Sequence, residues 1–323
     1  LDQIGDDAGP HEPIWCGAGV TVRSLFDTLE ARGQALACHP DAYGDTSIGA
    51  MVATGFTSGI GMGTTGLDGL VSGLKVVLGT GEVLTTGTGA VLGGAPFVRH
   101  GLPDATGLFC GSAGALGVIT EVAVRPWPKR ALTCLHFSCG ADRDGVFRLA
   151  DLAGGLREPG LYETFRAISN AGLTGAREPF DVNLVVCMPP EGGAAASARL
   201  DRVEAAATAA GFTISSAPEG SWPRWWGEAG QHWGELGGTA LASLDVNFPY
   251  AQTAVIAEAF EALLAEAGEL PCVSRRWALY AAPDHLNIGV HLALDRGDMS
   301  GIAATRALID AHMAHFSSFD VVP

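Results

Sequence analysis

Lysine is nearly absent from this chain. Only Lys75 and Lys129 occur among 323 residues, and the formal net charge is −16. Nucleic acids and anionic membrane surfaces bind proteins through clustered lysine and arginine, which this composition does not provide. We therefore expect neither as a partner. The apolar fraction of 47% and the charged fraction of 17% are instead typical of a globular protein.

Paired cysteines and long apolar runs are missing as well. The seven cysteines are scattered and odd in number and form no CxxC pair, so neither a zinc site nor a disulfide framework is predicted. Reduced thiols suit the cytoplasm, which is the compartment we expect. No apolar run approaches about 18 residues and no signal-peptide pattern opens the chain, so we expect no membrane span and no signal peptide.

Glycine, by contrast, is concentrated between Thr46 and Gly73, where it supplies eight of 28 residues. Glycine lets a ligand approach the backbone closely, and successive peptide N–H groups in such turns form concave sites for anions. The stretch is therefore predicted to wrap an anionic, planar cofactor without formal positive charge. The alternative is a flexible surface loop. Spaced apolar residues, among them Met51, Val52 and Phe56, argue against the loop.

The first half of the chain otherwise predicts one helix and a few strands. Thr21 is a suitable N-cap for a helix over 22–32, which Gly33 ends. The other elements predicted here are a hairpin, a long loop and a strand, at 74–86, 87–106 and 118–125. Pro126 and Pro128 end that strand and mark a domain boundary near 129.

The second half alternates between strand and helix patterns. Strands are predicted near 131–138, 181–188, 240–248, 273–281 and 286–294. Helices are predicted at 144–154, 191–211, 250–267 and 299–315. The order strand–helix–strand, repeated, favours an antiparallel sheet with helices on one face, which is a ferredoxin-like α+β domain. We therefore predict two domains, over 1–129 and 130–323.

Several short blocks in the first half occur in a recognisable order. They are Gly17–Thr21, Thr46–Gly55, Leu74–Val83, Gly107–Ser112 and Gly117–Glu121. Together they resemble the FAD-binding domain of the vanillyl-alcohol oxidase / p-cresol methylhydroxylase (PCMH-type) superfamily. The second half is similar, more loosely, to the substrate-binding cap of the FAD-linked oxidases. The resemblance implies an α+β fold, with a PCMH-type domain of mixed or antiparallel sheet and helices, and a ferredoxin-like cap.

The resemblance also implies a cofactor and a chemistry. The cofactor is FAD, and the reaction is oxidation of a small alcohol, hydroxy acid or phenol by hydride transfer to flavin N5. The implied partners are a small-molecule substrate and an electron acceptor, either oxygen or a redox protein, and a homo-oligomer is left open. By motif match, the cofactor-binding residues are Thr46, Ser47, Gly49, Ala50, Thr54, Gly55, Thr57 and Gly59, with Val118 and Ile119 towards the adenine end.

The chain departs from the family pattern at both ends. Members of the family carry a first subdomain with a further glycine-rich loop, and a closing segment after the cap. By comparison this sequence is expected to be truncated at both ends. A second interpretation therefore stands beside the oxidoreductase: a truncated or non-catalytic chain that keeps the fold without binding FAD productively.

Catalytic groups are expected in the second half, because a flavin oxidase needs a base and anion-stabilising side chains beside the cofactor. The segment from 278 to 291 loosely resembles the family run that closes the site, and His291 matches its second histidine. A satisfied histidine within a sheet is the alternative. Tyr280 and Arg276 are candidates to hold a phenolate or carboxylate, since arginine binds carboxylates in a bidentate manner. For both, an ordinary surface residue is the alternative. No metal is expected.

Overall fold

The structure is a computed structural model of the chain. It describes residues 1–6, 9, 12–36, 46–55, 67–99, 103–128, 131–138, 143–156, 163–171, 181–188, 193–215, 240–267, 270, 274–281 and 285–318. The described residues form two compact units, which divide between Ala131 and Leu132. This division lies next to the boundary predicted at 129, and the functional names of the two domains stay predictions.

The first unit combines short helices with a small antiparallel sheet. Its elements are β1 (Ile14–Gly17), α1 (Val22–Ala31), β2 (Gln34–Ala35), α2 (Ile48–Ala53), α3 (Leu67–Leu70), β3 (Val71–Val77), β4 (Val83–Thr85), α4 (Gly89–Leu92), α5 (Thr106–Phe109), β5 (Val118–Val124) and β6 (Trp127–Pro128). The main sheet has the order β1-β5-β3-β4, and β2 pairs with β6 in a separate ribbon. The predicted helix, hairpin and strand are all present. The predicted loop over 87–106 instead contains α4 and the start of α5.

Helix α1 forms as its end signals predict. The Thr21 hydroxyl accepts a hydrogen bond from the Ser24 N–H at 3.2 Å, which satisfies one of the free amides of the first turn. Val22, Leu25 and Leu29 lie on one face and are fully buried. They join a core formed by β1, α2, β3 and β5. The helix therefore begins and ends within a residue or two of its predicted bounds.

The described residues of the second unit form a large antiparallel sheet and four helices. Its elements are β7 (Ala131–Ser138), α6 (Arg143–Gly155), β8 (Glu163–Ala171), β9 (Asp181–Met188), α7 (Ala194–Ala209), β10 (Ile214–Ser215), β11 (Ala240–Pro249), a 3₁₀ turn (Tyr250–Gln252), α8 (Thr253–Ala267), β12 (Ser274–Ala281), β13 (His285–Leu294) and α9 (Met299–Phe316). The strand order is β10-β7-β9-β8-β12-β13-β11. Helices α7, α6, α8 and α9 contact one another in that order, and each contacts the sheet. The predicted α+β arrangement is confirmed.

The two faces of this sheet differ in polarity. The pairing of β11 with β13 sets polar residues on one face, at Ser243–His291, Asp245–Gly289 and Asn247–Asn287. The alternate positions are apolar and buried, at Leu244–Val290, Val246–Ile288 and Phe248–Leu286. Because successive strand residues point to opposite faces, the apolar set belongs to the core and the polar set to the other face. We call this second face the polar face.

None of the helices among the described residues is both long and apolar enough to cross a bilayer. The cytoplasm stays a prediction. Cys16 and Cys110 form no disulfide within the part of the chain that the structure describes. Burial raises the pKa of Cys16 to about 12, although the charge of Arg32 partly opposes the shift. This thiol is therefore a neutral core group at physiological pH.

Candidate functional site

The cofactor-binding residues predicted in the first unit are centred on α2. Ser47 is its N-cap, with its hydroxyl accepting from the Ala50 N–H at 3.2 Å. Thr46 lies just before the helix, and its carbonyl accepts from the Val22 N–H at 2.9 Å. Thr54 is the C-cap and bonds back to the Ala50 carbonyl at 2.8 Å. The short helix is thereby fixed at both ends to its own surroundings.

The amide donors of this helix already have protein acceptors. The N–H groups of Ile48 and Gly49 donate to the carbonyls of Val20 and Ala18, at 2.8 and 2.9 Å. The Gly55 N–H donates to the Val52 carbonyl at 3.1 Å. The expectation that peptide N–H groups of the glycine-rich stretch bind an anionic cofactor stays a prediction, and the amides of Ile48, Gly49 and Gly55 already donate within the fold. The physical reason is that so short a helix is stabilised by its end contacts.

The glycines of α2 pack against protein rather than against open space. A Cβ on Gly49 would lie 2.6 Å from the Ala18 Cβ and 2.9 Å from the Ala18 carbonyl oxygen. Gly55 has a φ of +70° and ends the helix, and a Cβ there would meet the Gly111 Cα at 3.0 Å. Both residues are therefore required for close backbone packing. The sequence correctly indicates that these positions require glycine. The reason at Gly49 and Gly55 is close packing within the protein.

A small-residue surface remains open beside α2. Ala50 and Thr54 are exposed and lie one turn apart, so they share a helix face. Val118, at the start of β5, is 66% exposed. Strand β1 covers β5 only as far as the pair Gly17–Glu121, so Val118 and Ile119 extend beyond it. Since α2 contacts β5, these predicted residues belong to one neighbourhood.

Two of the cationic side chains described in this unit are paired within the fold. Lys75 forms an ion pair with Glu121 at 2.9 Å and lies 4.9 Å above the Trp15 ring. Arg99 is buried and bonded to Asp104 at 2.8 Å. Both side chains serve the fold.

Thr57 and Gly59 lie outside the described residues, as does the whole stretch 56–66.

The catalytic candidates all lie on the polar face of the second unit. The register places Arg276 of β12 directly beside His291 of β13, and Tyr280 beside Asn287. His291, Asn287, Arg276 and Tyr280 are therefore on one face, because paired residues of an antiparallel sheet point to the same side. Three residues that sequence reasoning chose separately are brought together by strand pairing.

His291 has a carboxylate partner that the sequence did not indicate. Its Nε2 lies 3.3 Å from Oδ1 of Asp245, which is two residues along β11 from Ser243, the register partner of His291. The two side chains meet diagonally across Gly289, the register partner of Asp245. Further along the same face, the Asn287 amide donates to Oδ1 of Asn247 at 3.1 Å. The alternating Ser243, Asp245 and Asn247 were the available signal, but alternation does not reveal the opposite strand.

Comparison with known proteins agrees with this architecture. Residues 5–87 match the family described as FAD binding domain. D-lactate dehydrogenase of Archaeoglobus fulgidus is 32% identical over 142 residues, which are 43% of this chain and 30% of that protein. Glycolate oxidase subunit GlcE of Escherichia coli is 30% identical over 117 residues, which are 36% of this chain and 32% of that protein. This chain thus spans about a third of the length of these relatives.

The similarity in structure extends over the whole chain. The crystal structure of p-cresol methylhydroxylase with substrate bound superposes with a TM-score of 0.75 at 15% identity, covering 99% of this chain and 70% of that one. The family match defines residues 5–87 as an FAD-binding domain, and the chain shares its fold with p-cresol methylhydroxylase. The cofactor that this domain implies is FAD.

The described residues are suited to contact FAD through small, uncharged groups rather than through cationic side chains. Ala50 and Thr54 are small and exposed, and the Thr54 hydroxyl is bonded back to the helix, so an uncharged part of the cofactor can approach closely. The main chain at Val118 extends past the end of β1, so β1 does not pair with it. This agrees with the scarcity of lysine in the sequence.

Proposed function

We propose that this protein oxidises a small alcohol, hydroxy acid or phenol, passing a hydride to N5 of FAD. The observation that carries the proposal is the polar face, where strand register gathers His291, Arg276 and Tyr280. Hydroxyl oxidation requires a proton acceptor and a group that holds the substrate's anionic end, and this face contains residues of both types. FAD, when bound, supplies the acceptor for the two electrons.

Each side chain has a distinct proposed task. The His291–Asp245 pair receives the proton released from the substrate hydroxyl. Arg276 orients a carboxylate or phenolate, because its planar guanidinium matches two acceptor oxygens. Tyr280 donates a hydrogen bond to the same end of the substrate. In the first unit, Ala50, Thr54 and Val118 hold FAD in place, with Thr57 and Gly59 proposed to complete the diphosphate site.

The substrate class follows from the relatives and is open to a direct test. The purified protein is loaded with FAD, excess cofactor is removed, and the flavin absorbance bands are measured. The loaded protein is then mixed without oxygen with D-lactate, with glycolate and with p-cresol in separate experiments. We expect one class of compound to bleach the flavin, and oxygen or an added electron acceptor to restore the colour.

Two results would contradict the proposal in different ways. A protein that stays colourless after exposure to FAD would favour the non-catalytic chain. A yellow protein that none of the three compounds bleaches would retain the cofactor assignment but remove the proposed substrate classes.

A further inference from the structure

We propose that Asp245, rather than His291, is the catalytic residue that takes the proton of the substrate hydroxyl, and that His291 positions it from behind. The inference rests on the proposed oxidation and assigns the base within the same site. It was not available from sequence, since Asp245 belongs to a different strand from the segment that resembles the family.

Exposure separates the two members of the pair. The side chain of His291 is only 6% exposed, whereas that of Asp245 is 44% exposed. A group that contacts a substrate must be reachable from the surface of the site. The carboxylate meets this condition and the imidazole does not, so the exposed end of the pair is Asp245.

Gly289 makes the pairing possible. It is the register partner of Asp245, and a Cβ placed on it would overlap Oδ1 of Asp245. The same Cβ would lie 3.1 Å from both Cε1 and Nε2 of His291. The carboxylate thus lies in the space that any other residue at 289 would fill. A side chain there would push Asp245 away from His291.

The hydrogen bond fixes the chemistry of both groups. An ionised carboxylate only accepts, so Nε2 of His291 must carry the hydrogen in this pair. A carboxylate has two oxygens with about four acceptor positions, so the bond at Oδ1 leaves it able to accept from a substrate. The hydroxyl proton passes to Asp245 as the carbonyl forms, and the hydride leaves the substrate carbon for the flavin. One proton and one electron pair are thereby accounted for.

Substitution of Asp245 gives the first test. Asp245→Asn keeps the shape and removes the base, so we expect flavin reduction to slow by about 10²- to 10⁴-fold with FAD content unchanged. Asp310→Asn is the matched control, because Asp310 is an exposed aspartate on α9 far along the chain from the polar face. It should reduce its flavin at the unaltered rate. His291→Ala should slow flavin reduction less than Asp245→Asn does, since it removes only the residue that positions the carboxylate.

A second test does not depend on the flavin. Nitrogen-15 NMR of the imidazole distinguishes the two tautomers, and we expect hydrogen on Nε2 of His291 in the unaltered protein. Gly289→Ala should abolish this preference by displacing Asp245. Gly155→Ala is its control, because a Cβ at Gly155 meets nothing within 4 Å. The control should leave the imidazole signals unchanged.

The outcomes separate the inference from the proposed function. An Asp245→Asn protein that is reduced as fast as the unaltered one would overturn the assignment and leave the oxidoreductase intact. A His291 imidazole with its hydrogen on Nδ1 would overturn it as well. A chain that takes up no FAD would remove the proposed function, and this assignment with it. An Asp245→Asn variant that binds a full complement of FAD but is reduced slowly supports both the assignment of Asp245 and the proposed function.

Discussion

At the scale of single residues, glycine has two different roles in this protein. Gly33 and Gly55 both have positive φ values, of +69° and +70°, and both end a helix. A Cβ on Gly33 would meet nothing within 4 Å, whereas one on Gly55 would meet the Gly111 Cα at 3.0 Å. Gly33 is required only for its backbone conformation, whereas Gly55 also allows the backbone at Gly111 to approach closely.

This pair offers a matched prediction. Gly33→Ala should lower the free energy of unfolding by about 1–2 kcal/mol, which is the usual cost of a left-handed conformation outside glycine. Gly55→Ala should cost more, because it adds the contact with Gly111. Urea unfolding of the two variants measures the difference. Equal losses would mean that the segment near Gly111 moves aside without cost.

At the scale of elements, the start of α5 depends on a polar turn. Burial disfavours ionisation of Asp104, but hydrogen bonds from the Arg99 side chain and the Gly107 N–H, with the charge of Arg99, outweigh it. The pKa of Asp104 is therefore lowered below its usual range. Arg99 is only 4% exposed, so the carboxylate neutralises a cation that has little access to water.

A pH dependence follows from the sign of that shift. A carboxyl group whose folded-state pKa is lowered stabilises the fold above its unfolded value of about 4. The contribution is lost as the pH falls through the folded-state pKa. Asp104→Asn should cost about 1 kcal/mol at neutral pH, a modest value because the carboxylate is 36% exposed and screened by solvent. Urea unfolding from pH 7 to pH 3 should show the two proteins converging; a constant difference would contradict the ionic explanation.

At the scale of the whole molecule, the described residues form two compact units, to which we propose separate tasks. The residues proposed to hold FAD belong to the unit that ends at Ala131, and the polar face belongs to the other. A ligand that binds only the folded form stabilises what it contacts, by about 2.7 kcal/mol at 100 times its dissociation constant. FAD binding should therefore raise the unfolding temperature of the unit that it contacts.

Calorimetry with and without FAD tests this division. We expect saturating FAD to raise the unfolding temperature of the unit that contains α2 and β5. Asp245→Asn should leave that increase unchanged, since it alters only the polar face. A loss of the FAD effect in this variant would show that Asp245 contributes to cofactor binding rather than to the reaction alone.

The bounds of most elements could be predicted because their signals are local. Thr21 and Gly33 delimit α1, and apolar periodicity placed all four long helices of the second unit. Strand β8 (Glu163–Ala171) lacked such a signal, because Arg166 and Asn170 share its polar side with the apolar Ile168. It pairs with β9, the next strand along the chain, and with β12, which lies about a hundred residues further on.

The α+β class, the family resemblance and the scarcity of lysine follow from composition, end signals and motif order, which are properties of the chain. The packing of Gly49 on Ala18 and the contact between Asp245 and His291 became evident only in the folded protein. These contacts join residues that are 31 and 46 positions apart. Strand register and close packing bring them together, and neither can be deduced from local patterns because both depend on the long-range path of the backbone.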